Sequence, residues 1–477
     1  MNNSQIDLTK GPILGQLFRL AIPTIAASFM QMIYNLTDMI WLGRVGKDAV
    51  ASVGIAGFYI WLGFSLLLIT RIGAEVGVSQ ALGRKENNTA LRFIRHAILW
   101  AVIISFIYGV ISFIWAGDLI NFFGVSSDIV NSKGEHYLRI VSMGFLFTFV
   151  NPTFAGIYNG MGNSRLPFWY MTSGVVLNLI LDPALIFGWW FFPELGVAGA
   201  AWSTFISHFL VFIIFIVRFV IQQEMLALHF SKFKFDWPIS KKIFSLGIPV
   251  ASESALFAFF AMIIARMVAD YGAIAIAVQS IGGQIEAISW MTSTGFATAL
   301  GSFTGQNYGA GNWQRIRTGY KYTLIIGTIL GLIVTAVFLL FGKSIFSVFF
   351  VDTEYQHLGA AYLYILAVSQ VFMIYEITTR GAFNGIGRTI PPSVIGIVFS
   401  GLRIPFAWLV ISFSSLGLFG IWGVISFTSI IKGTFLPLWF YLVLKSGGNV
   451  KHLSFNGRWI VLLPSRLRQN SVIHKNS

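Results

Sequence analysis

The 477-residue chain contains no cysteine. That excludes disulfides, thiolate metal sites and thiol nucleophiles. Charge is scarce too: Asp, Glu, Lys and Arg make up 10% of the residues, against about a quarter in an ordinary globular protein. There is no His-Glu-x-x-His, no Gly-x-Ser-x-Gly, no ATP-binding loop and no filter motif of a channel. A membrane-embedded enzyme and a passive pore are therefore both disfavoured, and no cofactor is expected beyond a coupling ion. Residues 1–15 are polar and lack the short apolar stretch of a cleavable signal peptide.

What is present is apolar. Hydrophobic residues are 56% of the chain and the mean hydropathy is +0.75. A bilayer span needs roughly 20 apolar residues. Twelve stretches meet that length, at about 13–42, 49–80, 92–116, 134–158, 166–188, 196–220, 242–269, 277–305, 316–341, 355–381, 392–413 and 417–445. The expected fold is an all-α polytopic membrane protein with twelve transmembrane helices in two pseudo-symmetric six-helix lobes. Residues 1–12 read as an N-terminal tail and 13–220 as the first lobe. Residues 221–241 read as a basic inter-lobe linker with Lys232, Lys234 and Lys241, 242–445 as the second lobe, and 446–477 as a basic tail.

The net charge of +14 could suggest nucleic acid, but the bases fall in alternate loops. Arg84, Lys85, Arg92, Arg95 and Arg165 lie on one side; Asp118, Asp128, Glu135 and Glu194 lie on the other. This positive-inside pattern predicts that both termini are cytoplasmic. The bilayer is then the expected partner, nucleic acid is not, and a monomer is the expected state.

The halves repeat. Leu20-Ala21-Ile22-Pro23 returns as Leu246-Gly247-Ile248-Pro249, and the same offset of 226 maps Gln80 onto Gln306 and Gly83 onto Gly309. An offset of 225 maps Asn159-Gly160-Met161-Gly162 onto Asn384-Gly385-Ile386-Gly387. Duplicated apolar halves are how secondary transporters place a site between two rocking lobes. The acids do not repeat: Asp38 maps onto Ile264, Asn178 onto Arg403, Asp182 approximately onto Ala407, and Asn151 onto Glu376.

An ionisable residue at membrane depth is a functional candidate by default. Asp38 lies late in span 1, after Tyr34 and Asn35. Asn178 and Asp182 share a face of span 5 at i, i+4, and Thr204 lies about two turns into span 6. At about 1.5 Å per residue these groups reach one depth. Two carboxylates, an amide and a hydroxyl can hold Na⁺ through hard oxygens. They can equally trap a proton, because close carboxylates resist double ionisation. The alternative is that Asn178 and Asp182-Pro183 only cap or kink span 5.

Pro23 is a candidate hinge in span 1, or a static kink, since Pro249 repeats it. Glu253, Glu286 and Glu376 could face a central cavity and attract cations, or pair internally with Arg266, Arg380 or Arg403. Arg71 and Glu75 read as an internal ion pair, and His208 as a packed core residue.

Together these residues resemble the multidrug and toxic compound extrusion (MATE) family, most closely its DinF-type prokaryotic branch. The resemblance covers about residues 10–445. It rests on Ala21-Ile22-Pro23, on Tyr34 to Gly43, on Gly160-Met161-Gly162-Asn163, on Asn178 to Pro183 and on Gly196 to Ala201. It implies a V-shaped pair of lobes in a bacterial plasma (inner) membrane, exporting amphipathic or cationic small molecules against inward H⁺ or Na⁺. It also implies an ion-coupling site in the first lobe at the positions of Asp38, Asn178, Asp182 and Thr204, with Pro23 at the span-1 bend. Tyr34, Asn35, Glu253, Glu286 and Glu376 remain possible cavity or substrate residues. The alternative is a flippase for a lipid-linked sugar from the same broad superfamily.

Overall fold

The computed structural model describes residues 5–190, 192–221 and 234–447. Lys232 and most of the tail expected at 446–477 lie outside them. Among the described residues there is no strand. An apolar chain in lipid must satisfy its backbone internally, and helices do so segment by segment.

The first lobe consists of α1 (Ile13–Val45), α2 (Lys47–Gly83), α3 (Asn87–Ile114), short α4 (Ala116–Asn121), α5 (Asp128–Met143), α6 (Phe145–Gly160), α7 (Arg165–Phe187) and α8 (Val197–Ile221). The second consists of α9 (Trp237–Ala269), α10 (Ala273–Gly309), α11 (Trp313–Ser347), α12 (Thr353–Ala367), α13 (Gln370–Gly385), α14 (Ile390–Gly401), α15 (Arg403–Phe413) and α16 (Gly417–Lys445). The repeat extends to shape. Both α1 and α9 are 33 residues long, both α2 and α10 are 37, and the fourth span of each lobe is broken, by 49° between α5 and α6 and by 52° between α12 and α13.

Among the described residues nine helical spans are long and apolar enough to cross a bilayer, and the two bent pairs bring the number to eleven. The twelfth expected span is α10, as long as α2 but less apolar. Helix α9 begins at Trp237, capped by Asp236. The expected linker 221–241 is therefore too long at its end: residues 237–241 are already helix.

The lobes join along one half of their depth. Ser65 Oγ donates to Ser254 Oγ at 3.0 Å near the middle of α2 and α9. From there toward the N-terminal end the lobes close up, with Ile69 against Gly247 and Ile243 against Gly73. At that end the contact is reciprocal. Gln80 Nε2 donates to Gly385 O at 2.8 Å, and Gln306 Nε2 donates to Gly160 O at 3.1 Å. Only glycine permits this approach: a Cβ on Gly83 would lie 2.0 Å from Gln306 O, and one on Gly309 2.1 Å from Gln80 O. All cross-lobe hydrogen bonds among the described residues lie in this half, so the lobes form a V closed at the N-terminal end.

A strap seals the closed end. Ile6 N donates to Met161 O at 3.0 Å in the first lobe, and Leu8 N donates to Gln306 Oε1 at 2.8 Å in the second. Leu8 O accepts from Asn307 and Arg315, and the Leu8 side chain is buried in the second lobe's core.

Candidate functional site

Helices α1, α7 and α8 bring the expected first-lobe residues together. Asn178 Nδ2 donates to Asp182 Oδ1 at 3.2 Å, one turn on, and to Ser203 Oγ of α8 at 2.8 Å. The next residue of α8, Thr204, shares a 2.9 Å hydrogen bond with the Tyr34 hydroxyl of α1. One turn beyond Tyr34, the Asp38 carboxyl lies within hydrogen-bonding range of Asp182. Two carboxylates are both acceptors, so this contact closes only when a proton or a cation lies between them. Asn178 and Asp182 are fully buried. No described donor reaches Asp38 Oδ1, Asp182 Oδ2 or Asn178 Oδ1. Buried oxygens without donors are costly alone and suit a hard monovalent cation or a shared proton. The described residues hold no group of three or more His, Cys, Asp or Glu that could bind a metal.

Two other expected residues flank this cluster. Asn35 is exposed and accepts from Gln31 at 3.2 Å, so it does not join the acids. Pro23 lies inside α1, where it removes one backbone donor. Beside it a groove of about 460 Å³ separates α1 from Arg165 at the start of α7.

Beneath the cluster a cavity of about 50 Å³ lies between α1, α6, α7 and α8. Tyr34, Asn151, Asn178, Ser207 and His208 face it. Four of its polar atoms have no partner: Asn151 Oδ1, Thr172 Oγ1, Asn178 Oδ1 and Ser207 Oγ. His208, expected to be a packed core residue, instead borders this space.

The second lobe is built differently. Glu253 and Glu376 are buried, but as members of an ion-pair network. Arg380 Nη2 lies 2.8 Å from Glu253 Oε1 and 2.9 Å from Glu376 Oε1, and Lys432 Nζ lies 3.0 Å from Glu376 Oε2. Arg403 donates to Thr428 at 2.9 Å and to Ser429 at 3.1 Å. Glu286 accepts from Gln370 at 3.2 Å. For Glu253 and Glu376 the pairing alternative therefore holds, whereas Glu286 takes its hydrogen bond from Gln370 and is in an ion pair with none of the three expected arginines. Arg266 takes no part; it pairs with Asp270 on the surface. Glu75 accepts from Ser302 of α10 at 3.1 Å. Arg71 acts on it only as a nearby charge, not as the expected close pair.

Three residues at these places went unnoticed in the sequence. Ser203 is a neutral hydroxyl with no signal of its own. Tyr137 of α5 interacts electrostatically with both Asp38 and Asp182. Lys432 did carry a signal, as a lysine inside the apolar run of α16.

The chain is similar to known proteins along most of its length. The sequence model of the family described as MatE matches residues 23–184 and again 249–409, so each match begins at the repeated proline. A probable multidrug resistance protein NorM from Thermotoga maritima is 27% identical over 405 residues, covering 83% of this chain and 85% of that protein. The multidrug export protein MepA of Staphylococcus aureus is 22% identical over 405 residues, covering 84% and 88%. Among solved structures, an outward-facing multidrug resistance MATE family transporter of the MOP superfamily superposes with a TM-score of 0.87 at 22% identity, over 94% of this chain and 99% of that one. A MOP superfamily transporter from Pyrococcus furiosus, described as having a binding pocket of reverse polarity, gives the same TM-score and coverage.

Proposed function

The chain belongs to the MatE family, and from that premise we propose that it is a secondary antiporter exporting amphipathic, mostly cationic organic compounds in exchange for H⁺ or Na⁺. The family is one of transporters, not enzymes. The names of the relatives, multidrug resistance and multidrug export proteins, support the class of cargo. The observation that carries the ion-coupled reading is the Asp38–Asp182 contact. These two acids meet inside the first lobe with no base among the described residues in an ion pair with either, whereas Glu253 and Glu376 of the second lobe are matched by Arg380 and Lys432.

In this reading a proton shared by the dyad, or Na⁺ held by Asp38, Asn178, Asp182 and Thr204, removes the repulsion between α1 and α7. Tyr34 ties Thr204 to α1, so a change at the ion is felt along that helix. Pro23 leaves one carbonyl of the preceding turn without its donor, which lets α1 bend there at low cost. The groove beside Pro23 gives the bend room. Ion and cargo then compete through the conformation they favour, which requires each to bind the two states with different affinity. By the distribution of basic loops, the closed N-terminal end faces the cytoplasm of a bacterium.

The flippase alternative loses its basis. A pyrophosphate cargo needs free guanidinium groups, and Arg266, Arg380 and Arg403 are each engaged.

The test is ethidium efflux from proteoliposomes under an imposed pH or Na⁺ gradient. Wild-type protein should drive efflux with one of the two gradients. Asp38→Asn should insert normally and fail to respond. Gradient-driven efflux by Asp38→Asn at the wild-type rate would refute the coupling site.

A further inference from the structure

The second lobe's charge network occupies the place that is a cavity in the first lobe. The offset of 226 relates Ala27 to Glu253, and 225 relates Asn151 to Glu376 and Asn178 to Arg403. For the last helix of each lobe the register is set by Leu195-Gly196 and Leu416-Gly417. Both glycines stand in the left-handed region at the helix start, Gly196 just before α8 at φ +54° and Gly417 as the first residue of α16 at φ +50°. That register relates Val211 to Lys432, Ser207 to Thr428 and His208 to Ser429. All six first-lobe residues border the 50 Å³ cavity, and all six counterparts belong to the network or accept from Arg403. One location inside a duplicated fold thus holds amide and hydroxyl oxygens without described partners in one copy and fixed charges in the other.

We infer that Lys432 is a resident cation. Its ammonium holds, beside Glu376 and Glu253, the place that an exchangeable monovalent cation would otherwise take, so the second lobe binds no coupling ion. The local balance supports this. Glu253, Glu286 and Glu376 bring three negative charges, and Arg380, Arg403 and Lys432 return three positive ones. The Lys432 ammonium sits on Glu376 Oε2 at 3.0 Å and interacts electrostatically with Glu253, whose Oε2 has no described donor. Without Lys432, two carboxylate oxygens would face one space carrying one net negative charge. Lys432 is 5% exposed, so solvent offers little compensation, and an unmatched buried charge is strongly unfavourable. A lysine tethered by the chain never leaves. The inference deepens the coupling reading by confining ion exchange to the first lobe.

The test reads binding rather than transport, so its failure is separable from failure of the Asp38 efflux test. Thermal unfolding of purified protein in detergent is followed in the Asp38→Asn background, which silences the first-lobe site. NaCl or methylammonium chloride replaces N-methylglucamine chloride at constant ionic strength. With Lys432 present the midpoint should not depend on the cation. Asp38→Asn/Lys432→Ala should unfold at lower temperature, and Na⁺ or methylammonium should raise its midpoint by several degrees, as a ligand bound only to the folded state does. If the alanine variant does not fold, Lys432→Met keeps the volume and the same comparison applies. A folded Lys432 variant indifferent to both cations would overturn the inference. So would a cation-specific shift with Lys432 in place that Glu376→Gln abolishes.

Discussion

Gln80 and Gln306 cross the lobe boundary in opposite directions, each donating to a backbone carbonyl of the opposite lobe at 2.8 and 3.1 Å. They are the same residue of the repeat, so the closed end is fastened twice by one device. A hydrogen bond of this kind contributes about 0.5–1.5 kcal/mol net, and about 1.4 kcal/mol is tenfold in an equilibrium. Gln80→Ala/Gln306→Ala removes both, about 1–3 kcal/mol together, and should therefore shift the balance toward opening of this end by about 5- to 150-fold. Spin-label distances between residues flanking positions 84 and 310 would show it, and an unchanged distribution would dismiss the lock. Gly83→Ala should act in the same direction and more strongly, because its methyl cannot coexist with Gln306 O in the closed state.

Asp38 and Asp182 should behave as one unit. When two groups share a proton or a cation, removing either abolishes the function of both. Asp38→Asn, Asp182→Asn and the double variant should lose gradient-driven efflux to a similar extent. Multiplicative losses, with the double variant far below either single one, would mean that the acids act independently.

The two arginine pairs of the second lobe should differ sharply in stability. Replacing Arg380 leaves the buried Glu253 without its ion-pair partner and Glu376 with Lys432 alone, and should cost about 3–5 kcal/mol, read as a large fall in the unfolding midpoint. Arg266→Ala breaks a solvent-exposed pair with Asp270 and should cost about 1 kcal/mol at most. Equal shifts would contradict the placement of the network.

The strap should depend on acid pH. Partial burial disfavours the Asp7 carboxylate. Its hydrogen bonds from Thr9 and the charges of Lys10 and Lys85 outweigh this and hold its pKa below the ordinary value of 3.8. A depressed carboxylate stabilises the folded form above its unfolded pKa and stops doing so as pH falls through the folded one. Protection factors for hydrogen exchange at residues 6–9, taken relative to the intrinsic rate at each pH, should be high at neutral pH and fall below about pH 4. Asp7→Asn should exchange faster at neutral pH and lose that dependence.

Much of this architecture was legible in the sequence, because the signals were local or periodic. The apolar runs located the spans, and the repeated Pro23 and Pro249 located the lobes. The spacing of Asn178 and Asp182 placed two cluster members on one face. Depth then brought Asp38 alongside, which the contact with Asp182 matches. What stayed hidden depends on which charges of different helices meet. Glu376 could equally have faced a cavity or a partner until Arg380 and Lys432 were seen on either side of it. Lys432 escaped for a further reason. The connection before α8 runs over 188–196, but that before α16 only over 414–416, so the offset that aligns the earlier helices fails at the last one. The lock was present as the repeat of Gln80 and Gln306, yet no pattern along the chain says that a glutamine reaches across to the other lobe.

The strap has a consequence for how the molecule is made. Leu8 waits for a partner 298 residues further along the chain, and for Arg315 beyond that. Closing so long a loop is slow and entropically costly. The earliest part of the strap to be synthesised is therefore among the last to seat, after the second lobe has inserted far enough to present α10 and α11. Until then the first lobe holds Ile6 at Met161 with half of its clasp unmade. A nascent chain arrested before Gln306 should expose its N-terminal segment to protease, and one released beyond Arg315 should hide it.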